Sequence, residues 1–162
     1  MKKYRRTIIL LNLLIVFGLF TRSIFQKETT LSNGQLILLE LAPVDPRSLI
    51  QGDYMSLNYA IAEDIDKNTI PKRGYCIVKL EENGIAHRIR IQANKTPLSK
   101  NEYLIAYTSR KWQGINIGAE SFFFQEGEVE KYEKAQYGGI KVDQDGNSLL
   151  IGLYDQYRNK IE

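Results

Sequence analysis

An apolar segment near the N-terminus constrains the chain most strongly. Residues 7–20 read TIILLNLLIVFGLF, and Asn12 is their only strongly polar side chain. As a helix these residues rise about 21 Å, which is short of the roughly 30 Å of hydrocarbon in a bilayer. The span lengthens to residues 7–25 if the long side chain of Arg22 extends to the lipid headgroups. The sequence therefore predicts a transmembrane helix there, preceded by a basic cytoplasmic tip at residues 1–6.

Four interpretations of this segment compete. A cleaved signal peptide requires small residues near its exit, and residues 20–25 (FTRSIF) offer no site of the A-x-A type. A lipoprotein signal requires a cysteine at this point, and the segment has none. A core helix normally has a polar face, which this segment lacks. An uncleaved signal anchor needs only the apolar run and its basic flank, and it is the interpretation we favour.

The basic flank also predicts the orientation of the chain. Lysine and arginine next to a membrane span favour the cytoplasmic side. The N-terminal tip carries four such residues, whereas Arg22 and Lys27 lie at the far end of the span. We therefore expect a single-pass protein of the cell inner (cytoplasmic) membrane, with its N-terminus inside and the residues from about 28 onward extracytoplasmic.

Charge and residue counts exclude several classes of protein. The net charge is +3, but residues 1–22 hold five basic and no acidic side chains, so the remaining 17 basic and 19 acidic residues sum to −2. The rest of the chain therefore has no electrostatic basis for binding nucleic acid. Cys76 is the only cysteine, which excludes an internal disulfide and a multi-cysteine metal site. His87 is the only histidine, which excludes a histidine-based metal cluster. The sequence contains no phosphate-binding loop, dinucleotide-binding fingerprint or zinc-ligand spacing, so we expect no cofactor.

Beyond a polar spacer at residues 26–34, apolar and polar residues mostly alternate with the period of β-strands. Asn83-Gly84, between two alternating runs, predicts a hairpin. Residues 126–135 form the one helical stretch outside the anchor. The predicted strands are residues 35–41, 54–61, 74–80, 85–92, 102–108, 140–142 and 148–154, with short apolar pieces at 115–117 and 122–124.

These patterns predict a mainly β fold plus one N-terminal transmembrane helix. We expect a small sandwich or partly open barrel of about seven short strands, with one short helix packed on it. The β-rich domain covers residues 35–155, and a polar tail covers 156–162. Within residues 54–61, alternation predicts one buried face formed by Met55, Leu57, Tyr59 and Ile61. Within residues 85–92, it predicts that the isoleucines and His87 face inward and that the arginines face water.

One octapeptide carries a family resemblance. Residues 52–59 read GDYMSLNY, which has the form G-D-Y-x-x-L-x-Y. The segment resembles the GDYXXLXY protein family, membrane-anchored bacterial proteins named after this pattern. All its fixed positions match: Gly52, Asp53, Tyr54, Leu57 and Tyr59.

The resemblance extends over about residues 36–155. Residues 43–51 (PVDPRSLIQ) resemble the family's approach to the motif, and residues 118–127 (GAESFFFQEG) resemble its second characteristic stretch. Residues 142–153 resemble its closing hairpin. Gln125 departs from the pattern, because many members have proline there, but it belongs to no proposed chemistry.

The family implies a location and a kind of partner more than an activity. Its members have no established enzymatic function. They resemble proteins that accompany polytopic membrane proteins encoded nearby. The resemblance therefore implies an accessory or stabilising subunit whose partners are the lipid bilayer and a polytopic membrane protein.

The motif has an architectural and a functional interpretation. In the architectural interpretation the motif serves only to start a strand, because Gly52 permits a tight turn and Asp53 is suited to accept hydrogen bonds from the following amides. In the functional interpretation it contributes to a polar and aromatic interaction patch. The candidate patch comprises Asp45, Arg47, Asp53, Tyr54, Glu120 and Glu126.

An enzymatic role is the alternative hypothesis: an extracytoplasmic hydrolase or small-ligand-binding domain acting at the Asp45, Arg47, Asp53 and Tyr54 patch. Membrane-anchored β-rich peptidases use a serine activated by a lysine. Ser48 and Ser56 lie near the motif, but the nearest lysines, Lys67 and Lys72, fall in a polar loop. His87 has no evident nucleophile or orienting acid. Because no catalytic constellation is visible, we expect a protein that is not an enzyme.

Overall fold

The N-terminal helix lies apart from the protein core. The computed structural model describes residues 4–42, 54–66, 69–110, 114–125 and 127–162. Helix α1, Arg5–Asn33, is continuous, and its large apolar side chains between residues 8 and 20 are each 52–68% exposed. Its stretch Arg6–Asn33 is, by length and composition, long and apolar enough to cross a membrane.

The helix is longer than the sequence predicted. Residues 26–33, expected as a polar spacer, form its last two turns. The hydroxyls of Thr29, Thr30 and Ser32 each lie 2.8–3.0 Å from the carbonyl oxygen four residues earlier, which satisfies these polar side chains within the helix. Adding residues to an existing helix costs far less free energy than nucleating a new helix. The polar residues that follow the apolar run therefore extend the same helix.

The end of α1 is docked against the β domain. Thr30 is only 3% exposed, and its hydroxyl oxygen lies 3.0 Å from Oδ2 of Asp143. The amide of Gly34 donates to the carbonyl of Thr30 and ends the helix. A Cβ at Gly34 would collide with that carbonyl oxygen, so glycine is required for the direct passage from helix to strand.

Within the described residues, nine strands follow the helix. They are β1 (Gln35–Glu40), β2 (Tyr54–Ser56), β3 (Arg73–Leu80), β4 (Ala86–Gln92), β5 (Glu102–Arg110), β6 (Gly114–Asn116), β7 (Ser121–Phe123), β8 (Tyr137–Val142) and β9 (Ser148–Tyr154). A 3₁₀ turn, Ala60–Ala62, follows β2, and a short helix α2, Val129–Tyr132, precedes β8.

The strands form three antiparallel sheets. Their orders are β1-β8-β9, β2-β7 and β4-β3-β5-β6. Single bridges connect the sheets: Leu41 pairs with Tyr59, and Leu38 pairs with Ile85 beside the tip of the β3–β4 hairpin. The amide of Ala106 in β5 also donates to the carbonyl of Gly146 in the β8–β9 turn. The expected mainly β fold with one N-terminal apolar helix is confirmed.

All three sheets contribute to one hydrophobic core. Its fully buried members with the largest side chains include residues from both larger sheets and from the segment after β2. They are Ile37, Leu39, Leu57, Cys76, Val78, Ile105, Ile140 and Leu153.

Two predicted elements are shorter than expected. Residues 54–61 form a regular strand only as far as Ser56, yet Leu57, Tyr59 and Ile61 all lie in the core, so the predicted inward face is correct. The helix predicted over residues 126–135 is reduced to the four residues of α2.

The predicted facing of β4 is correct for Ile91, which packs on the core, but wrong for His87, Arg88 and Ile89, and a β-bulge is the reason. Ile77 pairs with Arg90 and Val78 with Arg88, so Ile89 is an extra residue without a partner. Ile89 is half exposed and His87 is exposed, whereas Arg88 shares the face of the buried Val78. Strict alternation predicts that every second residue faces inward along the whole strand. The extra residue Ile89 shifts this alternation by one position, so the inward-facing positions change there.

Candidate functional site

The second half of the octapeptide lies in the core. Leu57 is fully buried and Tyr59 is 2% exposed. Strand β2 pairs with β7 in the register Tyr54 to Phe123, Met55 to Phe122 and Ser56 to Ser121. Gly52 and Asp53 lie outside the described residues. The motif strand is therefore paired with the second family stretch, residues 118–127, and the two stretches form one unit.

Tyr59 connects that unit to the closing hairpin. Its phenolic hydroxyl donates to the carbonyl of Ala119 over 2.7 Å. A Cβ on Gly138 of β8 would lie 2.7 Å from the ring of Tyr59, so the ring packs directly against the glycine backbone. Burial raises the pKa of Tyr59, and the negative charge of Glu120 raises it further. Tyr59 is therefore neutral, and its hydroxyl hydrogen is engaged by the carbonyl of Ala119.

Glu120 is held beside the motif from both its main chain and its side chain. Its carbonyl accepts the amide of Leu57 over 2.8 Å. One of its carboxylate oxygens accepts the amide of Ile117 over 2.5 Å, where the chain turns through Gly118 at a φ of +82°. Glu120 therefore stabilises the turn that brings β7 alongside β2.

A cleft of about 460 Å³ opens along this unit. Its walls come from the motif segment on one side and from the residues following β5 on the other. Its lining includes the polar side chains of Ser56, Asn58, Glu63, Asn116 and Glu120 over an apolar floor of Ile61, Ile115 and Ile117.

Arg88 positions the far end of the cleft, and the sequence did not indicate this role. Its Nη1 lies 2.6 Å from the carbonyl oxygens of both Ile61 and Glu63. The carbonyl of Ile61 lies within the 3₁₀ turn that follows the motif, and the carbonyl of Glu63 lies at the end of this turn. The available signal is that Arg88 follows the apolar Ala86 by two residues, so alternation places both on the same face of β4.

The glycine pair Gly138-Gly139 was also missed. The sequence predicts a strand only over residues 140–142, but both glycines belong to β8, the middle strand of its sheet. Gly138 accommodates the ring of Tyr59, and a Cβ at Gly139 would collide with the ring of Tyr154. Glycine inside a strand often marks such close contact, and this was the available signal.

Of the six residues of the candidate interaction patch, the structure locates two. The backbone of Tyr54 pairs with Phe123, and Glu120 lies next to the motif strand and lines the cleft. Asp45, Arg47, Asp53 and Glu126 lie outside the described residues, so whether the patch forms stays a prediction.

The described lining of the cleft contains two carboxylates and the hydroxyl-bearing residues Ser56 and Tyr59, without histidine, lysine or cysteine. His87 lies on an exposed strand face, with Nε2 at 3.4 Å from a carboxylate oxygen of Glu81. Across the described ranges, no three histidine, cysteine or acidic residues cluster to hold a metal ion. The cleft is thus equipped to bind a polar group, and the expectation of a protein without catalytic activity stays a prediction.

Comparison with known proteins identifies a family. The model of the GDYXXLXY protein family matches residues 16–153, most of the chain. The match begins within the apolar helix, so the second half of α1 belongs to the family pattern together with the β domain. No curated protein and no solved structure matches. The chain is a member of the GDYXXLXY protein family.

Proposed function

We propose that this protein is a membrane-anchored accessory subunit that binds and stabilises a polytopic membrane protein. In this proposal α1 crosses the inner membrane once with its basic tip in the cytoplasm. The β domain lies at the extracytoplasmic surface and contacts the partner there. The family itself is of uncharacterised function, so the proposal depends on the architecture of this chain.

The observation that carries the proposal is the rigid junction between helix and domain. The apolar part of α1 is exposed all round, as a lipid-facing helix is. Its last turns continue straight into β1, and Thr30 contacts Asp143 on the domain. At 1.5 Å per residue, 7–25 rises about 28 Å, close to the thickness of the hydrocarbon.

This junction favours a subunit over a tethered enzyme. A domain that finds soluble substrates gains from a flexible linker, which increases its reach. Here the helix leads into the domain through a single glycine, Gly34, and in our proposal this short connection holds the domain at one height and one orientation at the membrane. A fixed orientation suits contact with another protein that is held in the same bilayer.

The alternative is a domain that binds a small polar ligand or hydrolyses one. The cleft beside the motif favours it, because Glu63 and Glu120 line a space of about 460 Å³, within the range of small-molecule sites. In this alternative the Asp45, Arg47, Asp53 and Tyr54 patch contributes to the same site. A ligand that binds the isolated chain and is lost on Glu120→Gln would favour it.

The test is purification of the tagged full-length protein from its own membranes in mild detergent. We expect a polytopic membrane protein in a fixed ratio to the chain. Arg47→Ala should lower its recovery without unfolding the domain, because Arg47 is the one basic residue of the candidate patch. If the wild-type chain purifies alone and monodisperse, the accessory-subunit proposal is wrong.

A further inference from the structure

The apolar span of α1 contains one strongly polar side chain. Asn12 lies five residues into the segment 7–25, about 8 Å from its start along the helix axis, and therefore within the hydrocarbon of a spanned bilayer. It is exposed, and no described residue hydrogen-bonds to its amide. An amide in hydrocarbon is costly unless it is hydrogen-bonded, and lipid tails offer no partner.

Asn12 points to the same side of the helix as the docked domain. Asn12 and Thr30 are 18 residues apart, which is five turns of an α-helix. Thr30 is the buried residue that contacts Asp143. Ser23 and Gln26 lie within about 40° of the same direction, and both line a cleft between α1 and the domain.

This side of the helix is called the Asn12 face. Its members within the span are Ile8, Asn12, Val16, Leu19 and Ser23. Directly above it, the cleft between helix and domain has a volume of about 270 Å³, and Gln26, Lys27, Asn147 and Ser148 give it a polar lining. The face and the cleft form one surface, apolar at the depth of the membrane and polar beyond it.

We propose that the Asn12 face packs against a transmembrane helix of the polytopic partner. The amide of Asn12 hydrogen-bonds to a polar group on that helix, and the cleft receives the start of the loop that leaves it. This inference rests on the proposed function and specifies its contact surface. Interhelical hydrogen bonds from asparagine are a known means of helix association in bilayers.

The position of the domain argues against a second copy of this chain as the occupant. Two parallel copies that met through their Asn12 faces would be related by a two-fold axis along that face. Each domain extends over the same face, because Thr30 and Ser23 both point to it. The two domains would then occupy the same space above the axis. The occupant is therefore a helix with a short extracytoplasmic loop, as polytopic proteins have.

The first experiment is site-specific photo-crosslinking in membranes with the full-length chain. A photoreactive benzoylphenylalanine replaces Val16 on the Asn12 face or, as the matched control, Leu14, which points about 160° away at nearly the same depth. We expect an adduct with a polytopic membrane protein at position 16, several times stronger than at position 14. An adduct of twice the chain's mass at position 16 would overturn the proposal in favour of self-association. An equal or stronger partner adduct at position 14 would also overturn it.

The second experiment tests the amide itself. Asn12→Leu should lower recovery of the partner about three- to tenfold, the effect of losing one interhelical hydrogen bond. The double variant Asn12→Leu with Leu10→Asn has the same composition but carries its amide about 160° from the original direction, and it should not restore recovery. Full recovery with either variant contradicts the inference.

Failure of this inference is distinguishable from failure of the proposed function. If wild-type protein retrieves a polytopic partner and Asn12→Leu retrieves it equally well, the accessory role stands and the contact lies elsewhere. If wild-type protein retrieves no partner at all, both proposals fail together.

Discussion

The phenol ring of Tyr59 lies against the backbone of Gly138, so the last residue of the family octapeptide is packed onto the middle strand of another sheet. The hydroxyl of the same ring donates to Ala119, in the second family stretch. One side chain thus contacts two other segments of the family pattern. The position needs both an aromatic ring and a hydrogen-bond donor, which accounts for tyrosine here.

Tyr59→Phe should lower the free energy of unfolding by about 1–2 kcal/mol, because it leaves the buried carbonyl of Ala119 without its donor. Chemical unfolding of the detergent-solubilised full chain, followed by circular dichroism, measures the change. Tyr157→Phe is the control, because Tyr157 is 70% exposed. Equal effects of the two variants would contradict a specific role for the Tyr59 hydroxyl.

The same residue predicts a loss of stability in alkali. The raised pKa of Tyr59 means that the folded state keeps its proton when the unfolded chain, with a tyrosine pKa of about 10, has lost it. The contribution of the neutral Tyr59 to the free energy of unfolding is therefore at its maximum below about pH 10 and falls as the pH rises above that value. Tyr59→Phe should show a smaller fall between pH 9 and 11 in the same unfolding measurement; an unchanged slope would contradict the assignment.

Gly138→Ala should destabilise the domain by about 1–3 kcal/mol, the usual effect of overpacking a core, because its Cβ would lie 2.7 Å from the ring of Tyr59. Combining it with Tyr59→Leu removes the ring that the methyl group meets. The double variant should then be less destabilised than the sum of the single variants. Strict additivity would show that the glycine serves some other purpose.

Glu102 predicts a loss of stability in acid. Its two carboxylate oxygens lie 2.7 and 2.8 Å from Nη1 and Nη2 of Arg90, and the amide of Ser99 donates to one of them. The hydrogen bond from Arg90, followed by that from Ser99, lowers the pKa of Glu102 to about 2. The stabilisation is complete above the unfolded value of about 4.3 and is lost as the pH falls towards 2.

Glu102→Gln should therefore flatten the dependence of stability on pH between about 4.3 and 2. Arg90→Gln is the partner variant and should flatten the same range, since it removes the largest cause of the shift. Unfolding midpoints in denaturant at several pH values measure both. A slope that persists in both variants would assign the acid sensitivity to other carboxylates.

Thr30→Val should loosen the end of α1 without unfolding the domain. The variant keeps the shape of the side chain but removes the hydroxyl beside Asp143, which still accepts hydrogen bonds from Asp145 and Asn147. Hydrogen exchange of the amides in residues 26–34 should become several-fold faster, because one such bond contributes about 1 kcal/mol. Thr29→Val is the control, because that exposed hydroxyl bonds only to Phe25; equal acceleration by both variants would contradict a docked junction.

A cysteine at position 100 tests the orientation of the chain. Cys76 is fully buried, and its burial raises the pKa of its thiol to about 12, outweighing the opposite effect of the positive charge of Arg88. Lys100→Cys on an exposed loop should therefore be the only reactive thiol. We expect a membrane-impermeant maleimide to label it in intact spheroplasts, whereas Lys2→Cys should require permeabilisation. The reverse pattern would invert the proposed topology.

Local patterns predicted much of the fold because they depend on neighbouring residues alone. Asn83-Gly84 predicted the β3–β4 hairpin, and Gly84 indeed adopts a φ of +86°. The alternation after Tyr54 predicted which side chains are buried even where regular strand geometry ends. The bulge at Ile89 was not predictable, since it arises from the pairing of β4 with β3 and leaves no local signal in β4.

The candidate site was less accessible to sequence reasoning. The motif drew attention to Leu57 and Tyr59, but their roles depend on Ala119, Glu120 and Gly138, which are 60 or more residues away in the chain. The sequence does not indicate which groups Arg88 contacts, because the carbonyls after the motif lie 27 and 25 residues away in the chain.

By itself, the sequence determined the apolar helix, the β-rich domain and the family pattern, since hydrophobic periodicity and turn-forming residues act over short distances along the chain. Only the tertiary structure decided that the motif strand pairs with the second family stretch and that Tyr59 packs on Gly138. It also decided that α1 ends docked on Asp143 rather than in a spacer. These relationships join distant segments, and they follow from the packing of the whole core rather than from any local preference.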